Sequence, residues 1–267
     1  MIIRKTIICL LASAVMILGA GVASAVSVSS ADGVWMIETD GYTVHFKEAA
    51  QAGYSQAIAS GESLFGAGQG RNFYHSSNYG GWRDWGAAAE VSVVEEGAGY
   101  LVMKYVMNDG GSKLYHVTAT YWDGVPYFKH ELAIEASAAL ASLSNGHEPM
   151  VEPRNGKGAE NQYMLWEDPF HHVAFANGDG YFAMYTENGT AAMNDAWNVD
   201  GRMHLIHDNL SQDLTAGQTS DPIAFYMAVG SGGLDDAHTL ADSVTDVPTS
   251  VDPAGKLTST WAAVKTQ

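Results

Sequence analysis

The apolar and polar positions along this chain follow the pattern of a protein built from strands. Residues 91–95, 100–107, 113–122 and 125–135 are rich in β-branched and aromatic side chains that alternate with polar ones. Short segments that contain glycine or aspartate separate these four runs. Because tight turns of this composition join consecutive antiparallel strands, the four runs predict a β-meander.

Similar strand signals occur on both sides of the meander. Residues 34–38 and 42–46 flank an Asp-Gly pair, which is typical of a hairpin turn. Further strands are predicted at residues 163–166, 171–176, 181–186, 203–207 and 222–229. Strands that follow one another without intervening helices favour a sandwich or a barrel over a parallel sheet.

Helical patterns are scarce and lie near the carboxyl end. Residues 234–244 have apolar side chains at helical spacing and two aspartates in the first turn, and residues 256–265 predict a second short helix. The alanine-rich residues 136–143 predict a helical turn after a strand. The predicted fold is all-β, a large antiparallel β-sandwich of supersandwich or jelly-roll type with one or two short helices near the C-terminus. It forms a single domain over residues 26–267.

The first 25 residues have the pattern of a secretory signal peptide. Arg4 and Lys5 precede an apolar run that ends in Ala23-Ser24-Ala25, which predicts cleavage after Ala25. The run is short for a bilayer span, so no membrane anchor is expected after cleavage and the protein is predicted to be secreted or periplasmic. The one cysteine, Cys9, lies in this segment. The mature chain is therefore expected to lack disulfides, thiolate metal sites and a cysteine nucleophile.

Charge and aromatic content narrow the choice of partner. The formal net charge is −17, and removal of Arg4 and Lys5 makes it −19. A surface this acidic disfavours nucleic acid and anionic membranes as partners. Seven tryptophans and thirteen tyrosines supply rings on which the C–H faces of sugars stack. A polysaccharide is therefore the expected partner.

The segment 66–86 is the most suggestive stretch for chemistry. It is rich in glycine, polar groups and aromatic rings, which predicts a long functional loop, and its glycine spacing does not fit a dinucleotide site. A β-elimination on a uronic acid requires a group that neutralises the sugar carboxylate, a base and an acid. The catalytic residues predicted on this basis are His75, Tyr79, Tyr74 and Arg83. The predicted sugar-binding residues of the same segment are Arg71, Asn72, Trp82 and Trp85.

A second polar segment, residues 146–163, is predicted to lie at a rim of the sheet. It contributes His147 and Arg154 to the expected cleft, and His171 is expected to face them from a neighbouring strand. The alternative is that both segments are purely structural. Their aromatic rings would then pack inward, and their charges would form exposed ion pairs that contribute little.

Two other histidine patterns have different interpretations. His204 and His207 are three residues apart in a predicted strand, so they point to opposite faces and do not predict a shared metal site. His130 shares a strand face with Phe128 and Leu132, which predicts a hydrogen-bonded histidine of the core. No cofactor and no metal site are predicted, and only a structural calcium ion is left open.

Three short stretches resemble a known group of sandwiches. Residues 62–68 resemble the Glu-x-x-Phe-Gly-x-Gly segment in the amino-terminal sandwich of some α-glucosidases. Residues 123–132 resemble a strand after a tight turn in those domains, and residues 214–230 resemble their closing strand. The chain thus resembles the galactose-mutarotase-like supersandwich domains of carbohydrate-active enzymes. The resemblance implies a fold and a substrate class and supplies no catalytic residue.

These patterns predict a secreted enzyme that degrades polysaccharide. The leading hypothesis is a polysaccharide lyase that cleaves a uronic-acid-containing polymer by β-elimination. A non-catalytic carbohydrate-binding sandwich is one alternative, and a glycoside hydrolase or sugar epimerase is another. The hydrolase stays open because the chain has suitable carboxylates, whose separation a sequence does not give. They are Asp84, Glu148, Glu152, Glu167 and Asp168.

Overall fold

The described part of the computed structural model consists of two antiparallel sheets and one helix. It describes residues 26–61, 63–65, 73–77, 83–84, 86–141, 147–151, 161–166, 171–194, 202–206 and 213–247. The predicted signal peptide and the predicted helix at residues 256–265 lie outside the described residues. Within the described ranges, no helix is long and apolar enough to cross a membrane.

The strands follow one another along the chain until a single helix ends the described part. They are β1 (Ser27–Ala31), β2 (Val34–Glu38), β3 (Thr43–Lys47), β4 (Gly53–Ile58), β5 (Phe73–Ser77), β6 (Arg83–Asp84), β7 (Ala88–Gly97), β8 (Tyr100–Asn108), β9 (Lys113–Trp122), β10 (Tyr127–Ala136), β11 (His147–Val151), β12 (Asn161–Trp166), β13 (His171–Asn177), β14 (Gly180–Thr186), β15 (Thr190–Asn194), β16 (Arg202–Ile206) and β17 (Ile223–Ser231). The helix α1 spans Leu234–Ala241.

The strands are divided between a nine-stranded and an eight-stranded sheet. The nine-stranded sheet has the order β1-β2-β3-β4-β5-β11-β16-β15, with β6 paired to β5. The eight-stranded sheet has the order β12-β13-β14-β17-β10-β9-β8-β7. The predicted all-β sandwich is therefore confirmed, and the predicted meander is the run from β7 to β10.

One local prediction is wrong. The described residues of the predicted helical turn, 136–141, do not form one, because Ala136 ends β10 and Leu140 forms an isolated bridge with Leu214. The amide groups of Leu140 and Leu214 donate to each other's carbonyl oxygens at 2.8 and 2.9 Å. Alanine content favours a helix only weakly, and pairing with a distant segment overrides it here.

The main core lies between the inner faces of the two sheets. Alternate residues of each strand are buried there, as expected for a two-layer sandwich. Phe46 of β3 stacks on Tyr105 of β8 with ring centroids 4.1 Å apart, and Phe65 packs edge-on against Phe182 at 4.9 Å. These contacts join one sheet to the other.

A chain of hydrogen bonds crosses this apolar core. The hydroxyl of Tyr54 in β4 lies 2.7 Å from Nε2 of His130 and 2.5 Å from the hydroxyl of Tyr121. The Tyr121 hydroxyl lies 2.7 Å from that of Tyr105. All four side chains are at most 1% exposed. Burial lowers the pKa of His130 to about 3, so the imidazole is neutral and the prediction of a hydrogen-bonded core histidine is confirmed.

The outer face of the eight-stranded sheet carries a second apolar cluster. Helix α1 covers it through the buried Ala237 and Ala241, and the hydroxyl of Tyr185 donates to the carbonyl oxygen of Ala237 at 2.6 Å. After the helix, the carboxylate of Asp246 accepts hydrogen bonds from Tyr226 at 2.8 Å and from Lys129 at 2.9 Å. The segment that follows α1 is thereby fixed to the sheet.

Two surface turns connect the sheets at one end of the sandwich. The amide of Gly124, between β9 and β10, donates to the carboxylate of Asp40 at 2.9 Å. The amide of Asp40, between β2 and β3, donates to the carboxylate of Asp123 at 3.2 Å. Gly124 has a φ of 77°, a conformation in which glycine carries no steric cost. The two turns therefore cap each other.

Loss of the central hydroxyl of the buried chain is expected to destabilise the protein. Tyr121→Phe removes a partner from both Tyr54 and Tyr105, and a buried polar group that loses its partner costs about 1–3 kcal/mol. The free energy of unfolding from urea titration should fall by about that amount. Tyr100→Phe is the matched control, because its hydroxyl contacts Glu95 at the surface. Equal losses in the two variants would contradict a special role for the buried chain.

Acid is expected to destabilise the protein through His130. Since its folded pKa of about 3 lies below the usual value of 6.5, the unfolded chain binds a proton that the folded chain does not. The contribution of neutral His130 to the free energy of unfolding is complete above pH 6.5 and is lost progressively as the pH falls toward 3. The free energy of unfolding should decrease by about 1.4 kcal/mol per pH unit on this account. In His130→Phe the free energy of unfolding should change less steeply between pH 6 and 4, because the contribution of the imidazole is gone. The same pH dependence in the variant and the wild type would contradict this role of His130.

Candidate functional site

Strands β5, β6 and β11 bring two distant parts of the sequence together in the nine-stranded sheet. In the β5–β11 register, Tyr74 pairs with Met150, His75 with Pro149, and Ser77 with His147. On the other side of β5, Ser77 pairs with Arg83 of β6. The predicted site residues Tyr74, His75, Arg83 and His147 therefore lie on three adjacent strands.

This arrangement corrects the prediction that the segment 66–86 is one long loop. Part of the segment 66–86 forms β5 and β6, and part of the segment 146–163 forms β11 and the start of β12. The surrounding glycines and polar residues concealed these short strands. The sequence of β5, Phe-Tyr-His-Ser-Ser, contains no aliphatic side chain. Pairing with neighbouring strands, rather than an alternating apolar pattern, therefore determines its conformation.

The remaining predicted site residues are located differently. Six of them lie outside the described residues and stay predictions: Arg71, Asn72, Tyr79, Trp82, Trp85 and Arg154. His171 begins β13 of the eight-stranded sheet, where it pairs with Thr186. His171 therefore lies in the other sheet from the three strands that carry Tyr74, His75, Arg83 and His147, and its part in the site stays a prediction.

His204 is a buried histidine next to these strands. On β16, Met203 and Leu205 belong to the main core, so the residue between them faces away from it. His204 pairs with Met150 of β11, which is the register partner of Tyr74. His204 is nevertheless only 6% exposed, and Met150 only 4%. Since the outer face of a sandwich normally meets solvent, this part of the face is unusually shielded.

A shielded imidazole on the outer face has clear chemical uses. It can hold or transfer a proton in a place where water is restricted, which strengthens electrostatic interactions. The alternation of His204 with Met203 and Leu205 is the sequence signal for this residue. The same alternation argues against a metal site shared with His207, which lies outside the described residues.

A metal site is not evident in the described part of the chain. Among those residues, no group of three or more His, Cys, Asp or Glu side chains is placed to hold a metal ion. The question of a structural calcium ion therefore rests on experiment.

Comparison with known proteins identifies the fold. No protein-family model matches the sequence, and no curated protein matches it. A GH36 α-galactosidase from Geobacillus stearothermophilus aligns with 78% of this chain at a TM-score of 0.51 and 8% identity. A Klebsiella pneumoniae protein assigned as an aldose 1-epimerase aligns with 79% of it at a TM-score of 0.50 and 8% identity.

The extent of these matches limits what they mean. The alignment covers 82% of the epimerase-like protein but only 42% of the α-galactosidase, so the chain spans less than half of the latter. At 8% identity the likeness shows the fold alone. The chain has the galactose-mutarotase-like sandwich fold that the sequence resemblance implied.

Disulfide trapping is expected to confirm the register of the candidate site. Register partners in an antiparallel pair have Cα atoms about 4.5–5.5 Å apart, within the range that a disulfide spans. In a chain with Cys9→Ser, the double variant Ser76→Cys and Glu148→Cys should form a disulfide on mild oxidation. Mass spectrometry of a tryptic digest detects the cross-linked peptide.

A shifted pair is the control for this experiment. Ser76→Cys combined with Pro149→Cys moves one partner by one residue and to the opposite face of the strand. It should cross-link far less. Equal cross-linking of the two pairs would mean that β5 and β11 do not keep this register.

Proposed function

We propose that the protein is a carbohydrate-active enzyme whose site lies on the nine-stranded sheet at β5, β6 and β11. The observation that carries the proposal is the register that sets His75, Arg83 and His147 on three adjacent strands, with Arg83 and His147 both opposite Ser77. These residues come from two sequence segments that are each rich in polar side chains. A rigid sheet is a suitable support for groups that must keep a fixed geometry.

The fold and the composition support a sugar as the substrate. The two solved structures described above carry the names of an α-galactosidase and an aldose 1-epimerase, both of which act on sugars. The chain also has seven tryptophans and thirteen tyrosines. Stacking of these rings on sugar faces is a common mode of carbohydrate binding. Fold alone does not decide the reaction, so the chemistry rests on the residues.

Within this class we infer a lyase that cleaves a uronic-acid polymer by β-elimination. Arg83 binds the sugar carboxylate through its planar fork of N–H groups, which withdraws charge and acidifies the C–H beside it. His75 or Tyr79 removes that proton. The electron pair forms a carbon–carbon double bond as the neighbouring C–O bond breaks. Tyr79 then protonates the leaving oxygen, because Tyr74 alternates with His75 along β5 and so takes the opposite face of the sheet. The products are a new chain end and an unsaturated sugar.

The net negative charge of the protein makes the binding of an acidic polymer depend on the salt concentration. A net charge of −17 repels a polyanion at long range. At physiological salt that repulsion is screened beyond about 8 Å, whereas arginine contacts act at hydrogen-bond distance. Binding of an acidic polymer should therefore strengthen as salt is raised from low to moderate concentration.

A polysaccharide screen distinguishes the proposed lyase from its alternatives. Purified protein is incubated with neutral and uronic-acid-containing polymers while ultraviolet absorbance and reducing ends are followed. Unsaturated product supports the lyase, whereas new reducing ends without absorbance identify a hydrolase. Anomer interconversion without cleavage identifies an epimerase. Retardation in a polysaccharide gel without any reaction identifies a binding module.

Site variants test the residue assignment on whichever polymer reacts. His75→Ala and Tyr79→Phe should each lower kcat by about a hundredfold or more, because each removes a proton-transfer group. His45→Ala is the matched control: it lies half-buried on β3 of the same sheet, outside the proposed site, and should retain activity. Circular dichroism confirms that each variant is folded. Wild-type kcat in both site variants would overturn this assignment.

A further inference from the structure

A row of stacked aromatic rings crosses the outer face of the eight-stranded sheet and ends on β12. Tyr185 of β14, His172 of β13 and Trp166 of β12 are register partners. The ring centroids are 5.2 Å apart between Tyr185 and His172, and 4.5 Å apart between His172 and Trp166. These distances are close to the spacing of about 4.8 Å between neighbouring strands, so each strand contributes one ring to the row.

Helix α1 adds a ring to the side of Trp166 that already faces His172. His238 stacks on Trp166 at 4.8 Å and 9°, and its Nδ1 lies 3.2 Å from Nε2 of His172. The centroids of the two imidazoles are 5.3 Å apart. Imidazoles on opposite faces of one indole would be about 7 Å apart, because each stacked contact takes about 3.5 Å. Both imidazoles therefore lie on the same face of the indole and fix its orientation.

The other face of the indole is the open end of this row. Among the described strands, β12 pairs only with β13, so Trp166 carries the last ring of the row. Within the described part of the chain, only His172 and His238 stack on the indole. Trp166 is half-buried, whereas His172 behind it is fully buried. Met164, on the same face of β12, is 44% exposed.

Helix α1 also places two carboxylates beside the row. Asp235 lies three residues before His238, and Asp242 lies four residues after it. Asp242 has helical backbone angles, with φ at −66° and ψ at −18°. Because residues three and four apart share one side of a helix, both carboxylates lie on the side that carries His238. Both residues are exposed, so their oxygens are available to a ligand.

This combination of groups fits a neutral sugar. The flat C–H face of a pyranose stacks on an indole, and its hydroxyl groups donate hydrogen bonds to carboxylates. A uronic acid or a nucleic acid would bring negative charge to Asp235 and Asp242, which disfavours both. An organic cation usually binds in a cage of several rings, whereas Trp166 offers one flat face.

We propose that the open face of Trp166, with Asp235 and Asp242 beside it, binds a neutral sugar unit of a polysaccharide. The site belongs to the eight-stranded sheet, whereas the proposed catalytic strands β5, β6 and β11 belong to the other sheet. It therefore holds the polymer and takes no part in the reaction. The inference rests on the carbohydrate class of the proposed function but not on the lyase chemistry.

An NMR titration observes this indole directly. Each of the seven tryptophans gives one indole N–H signal in a ¹H–¹⁵N spectrum, and the signal missing from Trp166→Phe belongs to Trp166. The probes are two neutral oligosaccharides, galactohexaose and cellohexaose, with hexagalacturonate and choline chloride as charged comparisons. At least one neutral probe should shift the Trp166 signal saturably, and neither charged probe should. No shift with either neutral probe, or a saturable shift with choline, overturns the proposal.

Substitutions measure how much the ring and the carboxylates contribute. Isothermal titration calorimetry with the neutral probe should show a Kd about tenfold higher in Trp166→Ala, because a stacked contact is lost. Trp166→Phe should recover part of that loss, and Asp235→Asn with Asp242→Asn should also weaken binding. Val94→Ala is the control, because Val94 is 59% exposed on the opposite edge strand of the same sheet. Circular dichroism confirms folding, and a wild-type Kd in Trp166→Ala contradicts the site.

The same proteins separate this inference from the proposed enzyme. Trp166→Ala should keep the wild-type kcat on any polymer that reacts, because the indole lies outside the proposed catalytic strands. A shift of the Trp166 signal without turnover of any polymer would reject the enzyme and support the binding site. Turnover without a shift would reject the binding site alone. Self-association of the wild type that Trp166→Ala abolishes would assign the ring to a contact between copies of the chain and overturn the proposal.

Discussion

The two sheets depend on a polar chain inside an apolar core. Tyr54 belongs to one sheet, and Tyr105, Tyr121 and His130 belong to the other, so their hydrogen bonds join the layers. Apolar side chains alone tolerate small sliding movements between two faces. A buried hydroxyl does not, because a shift of about an ångström leaves it without a partner. The chain therefore determines how one sheet sits on the other.

This constraint explains how short polar strands can be part of a stable sheet. β5 and β11 have few apolar side chains, yet β5 pairs with β4, and β4 carries Tyr54 into the core. On the other side of β5, Val151 of β11 and Met203 of β16 are fully buried in the main core. The scaffold supplies the stability, which leaves the polar residues of these strands available for chemistry.

The alternation of apolar and polar residues predicts the strands correctly wherever one face of a strand is apolar. β2 and β9 have the predicted limits, and His130 was recognised because it shares a face with Phe128 and Leu132. The pattern failed at β5 and β11, where glycine and polar residues surround short strands that pair with each other across 70 to 78 residues of the chain. It also could not show that His171 lies in the eight-stranded sheet, since the order of strands in a sheet is not encoded in local alternation. The contact of His172 on β13 with His238 on α1 was equally hidden, because the two residues are 66 positions apart in the chain.

The reciprocal caps of Asp40 and Asp123 have a kinetic consequence. Their hydrogen bonds connect turns that are 83 and 84 residues apart, so the loop they close is long. Closing such a loop costs entropy that only an assembled sandwich offsets, and the contact is expected to form late in folding. Interactions that are absent from the folding transition state leave the folding rate unchanged and slow unfolding. This pair of turns thus acts on the lifetime of the folded protein rather than on the speed at which it is reached.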